Sequence, residues 1–176
     1  GVQSLRRRVA ESGLRAVLGD VMVDDRLFTH AEGSGTGPKR LTPIVVNDNV
    51  LDFTFAPADE TSRPAAIAWR PQTSAFTVDS QVDTVAADGP TRIYINEPTV
   101  GQIVVRGTIA LNRKPLLLVH EVGRPASFAR SLLIEALRKA GVKVAASPLA
   151  DNDLDRLPRF ETYAAMKPTA EFRSPP

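Results

Sequence analysis

The run Gly33-Ser34-Gly35-Thr36-Gly37-Pro38-Lys39-Arg40 sets glycines ahead of a lysine, as a phosphate-binding loop does so that backbone N–H groups and an ammonium surround an anion. Pro38 stands where the second glycine is required, and a surface connection is the better reading. Asp151-Asn152-Asp153-Leu154-Asp155 alternates carboxylates like a calcium loop. Arg156 replaces its turn glycine and Thr162 its bidentate glutamate, so a solvated acidic turn is expected. His120-Glu121 opens like a zinc-protease helix, yet Arg124 replaces the second histidine and the pair ends a strand. His30 is the only other histidine, so neither a two-histidine site nor a serine triad finds support. With no cysteine, thiol catalysis, disulfides and thiolate metal sites are excluded, and no cofactor is expected.

Serine acylation of the Ser-Lys kind needs S-x-x-K, so that an amine one helical turn away takes the hydroxyl proton, together with a second polar motif and a K-T-G strand. Ser4, Ser12 and Ser127 are followed instead by Arg7, Arg15 and Arg130, and a guanidinium does not deprotonate in proteins. Thr36-Gly37-Pro38-Lys39 is a hydroxyl-x-x-lysine match, but Pro38 keeps it from forming a helix. Lys167-Pro168-Thr169 lacks the glycine of K-T-G, and Tyr94-Ile95-Asn96 falls in an alternating strand, where it reads as strand packing. No catalytic, metal or cofactor-binding residue is assigned. Trp69, beside Arg70 and Pro71, is the one candidate for contact with a polymer or protein, although a tryptophan ending a strand more often packs in a core.

The elements that would position any site are clearest from Gly101 to Val144. Gln102 to Ile109 alternates and is rich in β-branched residues, Asn112-Arg113-Lys114-Pro115 turns the chain, and Leu116 to Val119 suits a buried strand. Pro125 predicts a helix start and Gly141 its left-handed stop, with Phe128, Leu132, Ala136, Leu137 and Ala140 on the packed face. Upstream, Val2 to Ser12 reads as a short amphipathic helix stopped at Gly13, Ala16 to Val23 as a strand, and Ile44 to Phe55 as a strand or a hairpin turning near Asn47-Asp48-Asn49. From Ala65 to Leu111 the pattern is short strands: AIAW, FTVDSQVDTV, RIYIN and QIVVRGTIAL. The fold class is therefore α+β. Residues 1–56 and 115–165 form a small α/β subdomain, 57–114 form a largely β subdomain inserted in it, and 166–176 form an extended tail.

Composition agrees with a globule. The chain has 176 residues, 43% hydrophobic and 24% charged, with a net charge of +2, which gives no footprint for nucleic acid. No apolar run reaches the roughly 20 residues of a membrane-spanning helix, and no secretory signal is present. A start at Gly1 rather than methionine is what an excised piece would show.

Taken in order, Gly19-Asp20-Val21 to Asp25-x-x-Phe28, Ile44 to Asp52, Gln102 to Gly107, Pro125-x-x-Phe128 to Leu137-x-x-Ala140-Gly141-Val142, and Ser174-Pro175-Pro176 resemble the class C low-molecular-mass penicillin-binding proteins. These are serine-type D-alanyl-D-alanine carboxypeptidases/endopeptidases of bacterial peptidoglycan. In that family a long insertion of two accessory subdomains, one α/β and one largely β, lies between the S-x-x-K and S-x-N motifs. The resemblance covers that insertion and no catalytic residue can be carried over, so it implies a non-catalytic accessory region of an extracytoplasmic, periplasmic or cell-envelope hydrolase. Its partners would be its own catalytic domain and peptidoglycan or cell-wall proteins. The alternative is a free-standing extracytoplasmic binding module without a peptidase host. An insertion also predicts that Gly1 and the residues near Phe172 lie on the same side of the fold.

Overall fold

The computed structural model of the chain describes residues 7–9, 11–33, 40–159, 161–162 and 165–168. The chain divides into two compact units, one of residues up to Asp48 and from Arg124 onward, the other Asn49–Gly123. The fold is mixed α+β.

In the first unit, residues 7–9 and 11 are helical and the turn ends at Gly13. Strand β1 (Ala16–Val17) follows, then an antiparallel pair of β2 (Ala31–Glu32) and β3 (Arg40–Leu41). The helix Pro125–Lys139 begins on a proline whose missing N–H costs nothing at that position. It ends where Gly141 takes φ +86°, with the N–H groups of Gly141 and Val142 returning to the carbonyls of Arg138 and Leu137 at 3.0 and 3.1 Å. That reversal needs a residue without a Cβ penalty. It feeds β10 (Lys143–Val144) beside β1 in parallel. The core here is Val9, Ile134, Leu137, Val142 and Val144, with Leu14, Val17 and Val21 against it. Each such aliphatic side chain contributes about 1.5–3 kcal/mol on full burial.

The second unit holds two three-stranded sheets. In one, β4 (Val50–Ala56) is central, antiparallel to both β5 (Ala66–Arg70) and β9 (Leu116–Glu121). In the other, β8 (Gln102–Ala110) lies between β6 (Thr77–Val85), which runs parallel to it, and β7 (Arg92–Thr99), which runs antiparallel. Alternation decides the inner faces: Leu51, Phe53 and Phe55 of β4, and Ile103, Val105 and Ile109 of β8, have no exposure at all. His120 of β9 and Glu97 of β7 meet across the two sheets at 3.1 Å.

Several expectations need correction. Strands β4 and β9, expected in the α/β part with boundaries at 56 and 115, belong to the β unit, because β4 is the strand that joins β5 to β9. The strand expected from Ala16 to Val23 stops at Val17, since Asp20 and Val21 turn their acceptors to Arg130. Asn47, Asp48 and Asn49 do turn the chain, with left-handed φ of 50°, 52° and 54°, but β4 then pairs with β5 and β9 rather than with an upstream strand of a hairpin. Leu116 to Val119 is not buried: β9 is a sheet margin, and Leu117 and Val119 are 57% and 58% exposed. On the helix, Leu132, Ala136 and Ala140 are only half-buried, and the packed stripe runs instead through Phe128, Arg130, Ser131, Ile134 and Leu137. Gly1, Phe172 and the tail from residue 169 onward lie outside the described residues.

Candidate functional site

Among the described residues, Arg130 makes four side-chain hydrogen bonds, and in the sequence it counted only as a failed base. The helix carries it on the same stripe as Ile134 and Leu137, and its side chain is 1% exposed. Nε donates to the Val21 carbonyl at 2.5 Å, and Nη1 to those of Ser147 and Ala150 at 2.7 and 2.8 Å. Nη2 donates to Asp20 Oδ1 at 2.5 Å, while Asp20 Oδ2 accepts from Arg156 at 2.8 Å. The hydrogen bond from Arg130 holds the Asp20 carboxyl below its usual value of 3.8; burial opposes this, and the Val21 N–H and the charges of Arg130 and Arg156 reinforce it.

Neighbouring groups do similar work. Asn152 closes a two-way amide bridge with the Val23 main chain, both bonds 2.8 Å, and its own N–H donates to Ser127 Oγ. Ser131 Oγ lies 2.5 Å from the Pro148 carbonyl. The cluster thus ties the segment after β1 to the segment after β10 through one helix. An arginine at helical spacing from Ile134 and Leu137 was the signal available for it. It can hold a chain path, but it offers no nucleophile beside a base.

The residues singled out from sequence have structural partners. Trp69 lies opposite Phe53 in the β4–β5 register and stacks on it, ring centroids 6.2 Å apart, on the inner side of its sheet. His120 pairs with Glu97, whose other oxygen accepts from Gly101 N–H at 2.7 Å. His30 faces Asp25 at 3.1 Å in the first unit, and Asp25 is 4% exposed with no hydrogen-bond partner for Oδ1 among the described residues. Of the acidic run, Asp151 pairs with Arg124, and Asp153 accepts from the Asp155 N–H to cap a short 3-10 turn. No group of three or more metal-ligating side chains occurs among the described residues. Tyr94 corrects the packing reading of Tyr94-Ile95-Asn96: it is 61% exposed on the outer face of β7, and only Ile95 turns inward. The glycine-rich loop lies outside the described residues from 34 to 39. No described helix is long and apolar enough to cross a membrane.

No curated protein matches this sequence. Among solved structures, penicillin binding protein 4 (dacB) from Haemophilus influenzae is similar in fold, with a TM-score of 0.62 at 18% identity over 86% of this chain and 36% of that one. The same protein complexed with a novel beta-lactam gives 0.60 at 17% identity, over 82% of this chain and 31% of that one. The chain therefore spans about a third of the length of the solved structures it resembles. A family model matches residues 1–153, most of the length, and the chain belongs to the D-Ala-D-Ala carboxypeptidase 3 (S13) family.

Proposed function

We propose that this chain is a non-catalytic accessory region of a serine-type D-alanyl-D-alanine carboxypeptidase/endopeptidase of peptidoglycan, one that positions the catalytic domain or contacts the cell wall outside the cytoplasm. The observation that carries the reading is a pairing of presence and absence. The family model matches 153 of 176 residues, yet the sequence holds no S-x-x-K, S-x-N or K-T-G. Acylation needs an activated serine and oxyanion donors, and the described hydroxyls do not supply such a pair: Ser12 donates to Val9 O and Ser127 accepts from Asn152 N–H. Trp69 acts in this reading through packing on Phe53.

The test has two parts. Fluorescent penicillin is expected to leave the purified chain unlabelled. An antibody raised against it should recover, from penicillin-treated source cells, a labelled polypeptide much larger than 19.0 kDa. Label on the purified chain would overturn the non-catalytic reading, and an unlabelled native protein near that mass would favour the free-standing binding module.

A further inference from the structure

The alternation that buries Ile103 and Val105 of β8 turns the intervening residues of the β6–β8–β7 sheet outward. Register sets them in rows. Tyr94, Arg106 and Gln81 stand in one row across the three strands, and Asn96 and Asp79 belong to the next. Tyr94 is 61% exposed, so its ring is presented to solvent rather than packed. Beside it Arg106 is already fixed: Nη2 donates to Asp79 Oδ2 at 2.6 Å, and Nη1 to the main-chain carbonyls of Asp79 and Val105 at 3.0 and 2.8 Å. A guanidinium held by its own sheet loses little rotamer freedom when its remaining N–H groups bind a ligand. Exposed Asn96 and Gln81 add planar amides, each able to donate and to accept.

We infer that this face is a binding site for the glycan strand of peptidoglycan, with a sugar ring stacked on Tyr94 and its polar rim on Arg106, Gln81 and Asn96; the inference rests on the cell-wall reading above and gives it a surface. Charge selects this occupant. The face sets Arg92 and Arg106 against Asp79 and Asp83, so its formal charges balance. A nucleic acid needs a positive excess to displace its counterions, whereas a polymer with an uncharged backbone does not. A protein partner would call for an apolar centre. Here the face is polar around a single aromatic ring, and Val104 between Asn96 and Asp79 is half-buried. A pyranose matches that arrangement, because it offers C–H groups from its flat side to an aromatic face and hydroxyl and acetamido groups from its rim to planar side chains.

Co-sedimentation of the 176-residue chain with isolated peptidoglycan sacculi measures the affinity, and glycan strands stripped of their stem peptides by an amidase identify the part that is bound. Both are expected to bind. Tyr94→Ala should raise the dissociation constant for both by about tenfold. Tyr94→Phe keeps the ring and should stay within about twofold of wild type. Gln81→Ala, in the same row on another strand, should weaken binding by about threefold. Because Tyr94 and Gln81 are exposed, all three variants should keep the wild-type urea midpoint, which separates lost binding from lost fold. A Tyr94→Ala variant that binds as wild type does overturns the inference. So does a chain that binds whole sacculi and not stripped strands, since the stem peptide is then the occupant. The accessory reading is judged apart from this, by penicillin label on the larger native polypeptide: label there without strand binding here removes the glycan site alone.

Discussion

Replacing Arg130 by methionine removes four hydrogen bonds made by one guanidinium and keeps most of the apolar stem. Three of the acceptors are main-chain carbonyls, of Val21, Ser147 and Ala150, and the fourth is Asp20. A buried acceptor left without its donor costs about 1–3 kcal/mol. These losses are not additive within one network, and the closest measured analogue, removal of one partner of a buried charge pair, costs about 3–5 kcal/mol. We expect Arg130→Met to fall in that range. The assay is urea unfolding followed by far-ultraviolet circular dichroism at the helix band, to which the helix carrying Arg130 contributes. Arg130→Lys sharpens the test. It keeps the charge, but one ammonium cannot reach acceptors spread around a planar fork, so it should still cost about 2 kcal/mol. A methionine variant that loses less than about 1 kcal/mol would falsify the network argument, and a neutral lysine variant would reduce it to a charge effect.

The lowered Asp20 value sets an acid limit on the first unit. Below its unfolded pKa the unfolded chain binds more protons, so the contribution of Asp20 is full above the usual 3.8 and is lost as pH falls through the lower folded value. Asp20→Asn should flatten that part of the stability-against-pH curve, and an unchanged acid slope would contradict the assignment. Gly107 of β8 has φ +145°, and a Cβ there would sit 2.0 Å from the Arg92 carbonyl oxygen on β7. Gly107→Ala should therefore cost more than about the 1 kcal/mol of an unstrained glycine exchange, read as a fall in the urea midpoint, whereas a midpoint within error of wild type refutes the close approach. Trp69→Ala removes the stack on Phe53 and should lower stability by about 2–3 kcal/mol. An unchanged melting temperature together with lost binding to isolated peptidoglycan would return Trp69 to the contact role.

Where one local rule decides the outcome, the sequence was enough. Pro125 and Gly141 bound the helix because each satisfies a demand of a helix end, and the alternation in QIVVRGTIAL becomes β8 with Ile103, Val105 and Ile109 buried. The errors fall where a distant partner decides. Nothing near Leu116 says that β9 will lie at a margin, so its apolar run gave no warning that Leu117 and Val119 would face outward. The unit boundaries moved for the same reason: β4 and β9 are far apart in sequence and meet in an antiparallel register that runs from Val50–Glu121 to Phe55–Leu116. Arg130 was visible as a charge on an apolar stripe, but its acceptors come from segments on either side of the chain, near Val21 and near Ser147.

Several of the described residues that carried the family resemblance prove to be framework. Asp20 accepts from Arg130, Phe128 is 2% exposed, and Leu137, Gly141 and Val142 make the helix-ending turn. None of them belongs to an acyl-transfer constellation. Side chains of chemical character elsewhere are also engaged: His120 faces Glu97, His30 faces Asp25, and Asp153 caps a turn. A chain can therefore be recognisable as a member of a peptidase family through residues whose work is to fix chain paths, because burial and hydrogen bonding constrain residue type as strictly as catalysis does. That is why the order and spacing of framework residues identified the family here, while every catalytic motif looked for lacked a residue its chemistry requires.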